Sequence, residues 1–224
     1  MWKKAEKKEG KTIGILGAGP GCGVTHFTIL FANYLTAMEL KRTAVLEWNG
    51  PGGIEELTAV CTGRSCGRSL KVTSCQDPVS ALRQPAASAP CQPAVSILGV
   101  DYFPQSGAEE LAFCLQNGYE AILMDFGSLK DGGTAEFLQC RMKCFLGALN
   151  EWKIREVAER REWLQKGRDN WNFLMVFGSE EARREMKRRY FLNFETVPFA
   201  PDAFSIDKEM AEFLGRIWTG KKRG

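Results

Sequence analysis

The 224-residue sequence has one histidine, His26, which excludes metal sites built on several imidazoles and any mechanism that needs two of them. It has little net charge. Thirty basic against 27 acidic residues leave a formal +3, so the overall balance makes no case for nucleic acid. No apolar run approaches the roughly 20 residues that a membrane-spanning helix requires. Residues 1–9 are mostly charged and lead straight into a strand too short and glycine-interrupted to serve as a signal sequence, so a cytoplasmic location is expected. Eight cysteines are present, yet no two are spaced as C-x-x-C. Cys61, Cys66, Cys75 and Cys91 therefore lack the close pairs of zinc ribbons and fingers; no zinc is expected, and the scattered thiols suit a reducing compartment.

What is there instead is residues 12–26, TIGILGAGPGCGVTH, which read as a short apolar strand, a glycine-rich turn and a helix start. Such a turn aims backbone N–H groups and the positive end of a helix dipole at one point, the arrangement that holds phosphate. Against the P-loop pattern G-x-x-x-x-G-K-[ST], Ala18 takes the first glycine, Gly23 the second, Val24 the lysine and Thr25 the hydroxyl. The backbone part persists and the cation does not. Apolar Val24 cannot neutralise charge on a transferring phosphoryl group, so little turnover is expected from the chain alone. Two other readings stay open. Residues 17–21 open like the dinucleotide fingerprint G-x-G-x-x-G, whose last glycine would fall on Cys22, and a tight strand-to-helix turn without any ligand also favours glycine. Cys22, at a helix N-terminus, is either an activated thiol or a small loop filler. His26 either reaches a phosphate or packs beneath the loop.

Around this loop the apolar spacing alternates between helix and strand periods. A helix is predicted over 25–38 and a strand over 43–49, ended by Gly50-Pro51-Gly52-Gly53; together with the first strand they form a βαβ unit and hence a parallel pair. A helix over 54–60 follows, then an irregular region with a strand over 69–73 and a helical turn over 79–82. Next come a buried strand over 94–100, a helix over 107–117 with Leu111, Ala112 and Leu115 on one face, a strand over 119–127 and a strand over 138–146 around Cys140 and Cys144. An amphipathic helix over 151–166 turns Trp152, Val157 and Leu164 inward. A strand over 172–177, a basic helix over 179–190 capped by Ser179, a strand over 194–199 and a helix over 207–218 complete the chain. The expected fold is one doubly wound α/β domain over 11–218, a three-layer sandwich with a mainly parallel sheet and helices on both faces, between basic tails at 1–10 and 219–224.

The strand over 119–127 ends on Asp125 and Gly127. An aspartate at a strand's carboxyl end, beside a phosphate loop, is placed to order a Mg²⁺ shell; a strand-terminating turn residue is the plain alternative. On these residues the chain resembles the ParA/MinD type of deviant P-loop ATPase, and most of all variant members such as the TadZ/CpaE-like pilus proteins. The loop of that family, K-G-G-x-G-K-T-T, corresponds to Gly19-Pro20-Gly21-Cys22-Gly23-Val24-Thr25-His26, with the intermonomer signature lysine on Gly19 and the P-loop lysine on Val24. Its D-x-D corresponds to Glu47-Trp48-Asn49 and its D-x-G to Asp125-Phe126-Gly127. Met175-Val176-Phe177-Gly178 stands where the family carries an adenine-reading asparagine, and residues 197–202, VPFAPD, resemble its proline-bearing strand exit near the base.

The resemblance implies ATP or ADP with Mg²⁺. The nucleotide would lie on Gly19, Gly21, Cys22, Gly23, Val24, Thr25 and His26, and the metal near Thr25, Glu47 and Asp125. It also implies a nucleotide-dependent homodimer and a protein partner such as a pilus or secretion apparatus. With both lysines gone, a regulatory or positioning pseudo-ATPase is expected; a nucleotide-free interaction module and an NAD-binding oxidoreductase using Glu47 on the ribose are the alternatives. Arg42 and Lys130 are the candidate substitute cations. Arg183, Arg184, Lys187, Arg188 and Arg189 form a basic face, either solvated or meeting an acidic partner. Phe213, Leu214, Ile217 and Trp218 lead to the basic residues 221–223; that helix either packs on the sheet or lies on the inner face of a membrane.

Overall fold

The computed structural model describes residues 10–48, 52–62, 93–128, 134–167 and 169–220. β1 (Lys11–Gly17) runs into the glycine loop and α1 (Val24–Ala37), and β2 (Thr43–Glu47) and α2 (Gly53–Thr62) follow. Next are β3 (Val95–Ile97), β4 (Val100–Phe103), α3 (Ala108–Gln116), β5 (Ala121–Ser128), α4 (Thr134–Gln139) and β6 (Met142–Leu149). Two short helices, α5 (Ile154–Ala158) and α6 (Arg161–Gly167), lead to β7 (Asn172–Gly178), α7 (Glu180–Tyr190), β8 (Glu195–Thr196) and α8 (Lys208–Thr219). The strands form one sheet in the order β3-β4-β2-β5-β1-β6-β7-β8, parallel everywhere except between β3 and β4. The expected α/β architecture is the one observed.

Side chains alternate across each strand, and this divides the apolar residues between two cores. Ile13 and Ile15 of β1, Val45 of β2 and Leu123 of β5 pack with α1 and with Met210, Phe213, Leu214 and Ile217 of α8. Leu16, Leu46, Met124 and Phe126 point the other way, onto Cys114 of α3 and Phe137 of α4. Gly14 has to be small because a Cβ there would lie 2.8 Å from the Phe137 ring and 2.9 Å from Cys140 Sγ. Burying α8's apolar face in the core leaves it no stripe for a membrane surface, and no described helix is long and apolar enough to cross a membrane.

Several expectations change. β1 and β2 are parallel but not neighbours: β5, buried on both faces over almost its whole length, lies between them. The strand read over 94–100 is a hairpin, since Leu98 and Gly99 take φ of 50° and 81° and reverse the chain. The strand read over 138–146 starts at Met142, after α4. On α3 the buried residue is Cys114, while Leu115 is exposed. The helix read over 151–166 is two helices, and Trp152 lies in the turn before them, 76% exposed. β8 stops at Thr196: after the Val197 N–H reaches Met175 O at 2.9 Å, Pro198 and Pro201 have no N–H to continue the ladder. On α7, Arg183 pairs with Glu180 and Arg188 with Glu185, so part of the basic face is neutralised within its own helix. The elements read over 69–73 and 79–82 lie outside the described residues, as do Asn49, Cys66, Cys75, Cys91, Lys130 and residues 221–223.

Candidate functional site

Because β1 lies mid-sheet, its carboxyl end delivers the loop between β5 and β6. The Ala18 N–H still bonds Leu146 O of β6 at 2.8 Å, and the chain then leaves the sheet. Gly21 and Gly23 adopt φ of 73° and 74°, a region where a side chain is strained, so both positions favour glycine. Gly23 caps α1 without a side-chain hydrogen bond, which leaves the N–H groups of the helix's first turn to face whatever enters the loop. A hollow of about 380 Å³ lies there, lined by residues 19–26 with Gly127 and Ser128.

The predicted site residues divide into those that face this hollow and those that build its floor. Val24 is turned into the core; its Cγ2 lies 2.7 Å from where a Cβ on Gly17 would be. Cys22 is buried against Gly17 as well, which fits the filler rather than the reactive thiol. His26 stands where the hollow and the chain after β8 meet: its Nε2 donates to Ala200 O at 2.8 Å and ties α1 to that segment. Thr25 packs against Gly53 at the start of α2, and its hydroxyl is close enough to Asp125 to favour the carboxylate.

Asp125 is 3% exposed at the end of β5, directly beside Glu47 in the register of β2 with β5. Burial pushes its carboxyl pKa up; the Thr25 hydroxyl and the Gly127 N–H, 2.9 Å from Oδ1, pull the other way. Its Oδ2 is buried without a partner. Glu47 is also buried and also shifted upward by burial. Its two oxygens accept the N–H groups of Ile54 and Glu55 at 3.0 and 3.2 Å, so the side chain caps α2. The NAD reading thus finds its ribose-binding carboxylate already engaged.

A second, apolar cleft of about 590 Å³ opens from the hollow and shares Gly21, Gly23 and His26 with it. Phe27 and Leu30 of α1, Val176 of β7, Met210 of α8 and residues 197–201 wall it. Phe177 and Phe199 form its rim, 52% and 80% exposed. Such walls suit a flat aromatic group adjoining a polar phosphate site.

Two residues that sequence reasoning passed over stand at the loop. Lys153, in the turn after β6, donates from Nζ to Pro20 O, and Glu156 of α5 lays its carboxylate against Gly19. The one signal for them is topological: β6 pairs with β1, so whatever follows β6 arrives beside whatever follows β1.

No family model and no curated protein matches the sequence. Solved structures do. MinD from Aquifex aeolicus superposes with a TM-score of 0.61 at 13% identity, covering 96% of this chain and 99% of its own. The MinC:MinD complex of the same organism gives 0.58 at 15% identity over 96% and 98%. A plasmid partition protein of Borrelia burgdorferi B31, bound to AMPPNP, gives 0.52 at 12% over 96% and 100%. The fold is that of the ParA/MinD-type P-loop proteins. On this ParA/MinD fold, the loop of residues 19–26 and Asp125 occupy one corner at the sheet's carboxyl edge, while Arg42 is far from it. Arg42 precedes β2 at the opposite edge, where its guanidinium bonds Asn117 O and covers the Tyr119 ring at 4.3 Å. It is therefore not the substitute cation.

Proposed function

We propose that this chain binds ATP or ADP with Mg²⁺ and acts as a regulatory or positioning factor of the TadZ/CpaE kind, with little turnover of its own. One observation carries the reading: a loop of uncapped N–H groups borders both a small hollow and an apolar cleft, and behind it, two residues before the hollow's Gly127, lies a buried Asp125 oxygen that has no partner. An orphaned buried carboxylate oxygen beside a hydroxyl is the donor set that suits a hard divalent cation. Thr25 and Asp125 would hold Mg²⁺, which when bound offsets phosphate charge; Glu47 supports them by fixing α2 against Thr25. The loop backbone would cradle the phosphates, and the cleft between Phe27, Val176 and Phe199 would take the base.

The neighbours support the reading, since one is bound to AMPPNP and another is in complex with a protein partner. Trp152, Phe177 and Phe199 are exposed at or near the loop's edge of the sheet, a surface suited to a second copy in a nucleotide-dependent dimer or to a protein partner such as a pilus or secretion apparatus. The proposed setting is cytoplasmic.

Calorimetric titration with ATP, ADP and NAD, in Mg²⁺ and in EDTA, tests the proposal. Saturable ATP or ADP binding that weakens in EDTA and in Thr25→Ala is expected. Absence of any nucleotide binding would leave the interaction module as the surviving reading, and preference for NAD would favour the oxidoreductase.

A further inference from the structure

We infer that Lys153 supplies the phosphate-binding cation that the loop itself lacks. This rests on the reading that the loop holds phosphate. Residues 19–25 contain no cationic side chain, Val24 faces the core and Arg42 sits at the other edge of the sheet. Lys153 is already at the loop: its ammonium donates to Pro20 O and lies 3.6 Å from where a Cβ on Gly21 would be.

The anchoring is in its backbone. The Lys153 N–H bonds both the carbonyl and the side-chain Oδ1 of Asn150 at 3.1 Å, and the Ile154 N–H bonds Asn150 O at 2.9 Å. The backbone position is thereby fixed while the four-carbon stem can swing. Its present acceptor is a neutral carbonyl. A phosphate oxygen is the stronger acceptor, because its negative charge adds direct attraction for the ammonium to the hydrogen bond itself. Rotation of the four-carbon stem alone is the movement that would carry the ammonium from Pro20 O toward a phosphate on the loop N–H groups.

Glu156 opposes this. Its carboxylate lies against Gly19, where a larger residue would have to push it aside, and Oε2 is buried without a partner. A negative charge beside an anion cradle repels incoming phosphate, so Lys153 and Glu156 set the affinity between them. The loop lysine has in effect been replaced from α5's side by a cation with a built-in counter-charge.

The experiment titrates MgATP and magnesium pyrophosphate into wild type, Lys153→Met, Lys153→Arg and Glu156→Gln, at two salt concentrations, with unliganded melting curves as fold controls. Lys153→Met is expected to weaken both ligands by about 10- to 100-fold and to flatten the salt dependence. Lys153→Arg should recover most of the affinity, and Glu156→Gln should exceed wild type. Equal affinity in Lys153→Met, or a loss that arginine does not recover, would overturn the assignment while leaving nucleotide binding intact. If wild type binds neither ligand, the proposed function falls together with it.

Discussion

Asp125 is held ready at a cost in stability. Its folded pKa lies above the ordinary value, chiefly through burial, so the native state keeps a proton that the unfolded chain has already lost. Between the ordinary carboxylate value, about 4, and the raised one, stability therefore falls as pH rises; above that window the penalty is constant. Asp125→Asn removes the charge and keeps an acceptor for the Gly127 N–H. The nucleotide-free variant is expected to gain about 1 kcal/mol near pH 8, a rise of roughly 2–4 °C in melting temperature, and to lose that advantage at pH 4 and below. Its Mg²⁺-dependent nucleotide binding should disappear. Thermal melts at the two pH values check the sign; an unliganded variant less stable than wild type at pH 8 contradicts the account. At this scale the sequence read well wherever a residue's role is local. Asp125 was legible as the charged end of an apolar strand, and Gly21 and Gly23 as turn glycines. Val24 was legible as a lost cation, but not as a core residue packed on Gly17. Lys153 and Glu156 were not legible, because their meaning comes from Pro20 and Gly19, more than 130 residues earlier.

Elements show the same division. α7 and α8 begin at Ser179 and Asp207, whose side chains accept the N–H groups of Ala182 and Met210, and both caps can be read from sequence. α2 has its cap from outside, and no local pattern announces that Glu47, six residues upstream in a strand, will accept the N–H groups of Ile54 and Glu55. Glu47→Ala leaves both without that acceptor, and a loss of about 1–2 kcal/mol is expected, visible as a drop of several degrees in melting temperature. Glu47→Gln, which keeps an acceptor and discards a buried charge, should lose less; a larger loss in the glutamine variant would argue against a capping role. The single helix read over 151–166 failed for a related reason. Asn150 organises a turn through Lys153 before any helix begins, and Arg160 N–H bonds Val157 O three residues back, breaking the period between α5 and α6. Starting later rotates the pattern, which is why Trp152 emerges on the surface rather than in the core.

For the whole molecule, strand alternation and crossover rules led to a parallel, doubly wound sheet, but adjacency was beyond them: nothing local says that β5 enters between β1 and β2. That insertion sets Asp125 beside both the loop and Glu47, and the pairing of β6 with β1 brings Lys153 to Pro20. The resulting machine has the means to hold phosphate and much less to cleave it. N–H groups and a helix field suffice for a ground-state phosphate, whereas a positive charge fixed on the transferring oxygens is worth on the order of 10³ in rate. Lys153 stands at Pro20 on a long, flexible side chain, with the Glu156 carboxylate at neighbouring Gly19, so it fits binding better than the rigid stabilisation of a transition state. The isolated protein is expected to release phosphate from MgATP no faster than a Thr25→Ala, Asp125→Ala double variant prepared in the same way. An EDTA-sensitive excess of wild-type release over that control would sink the pseudo-enzyme reading, and loss of that excess in Lys153→Met would identify the charge responsible.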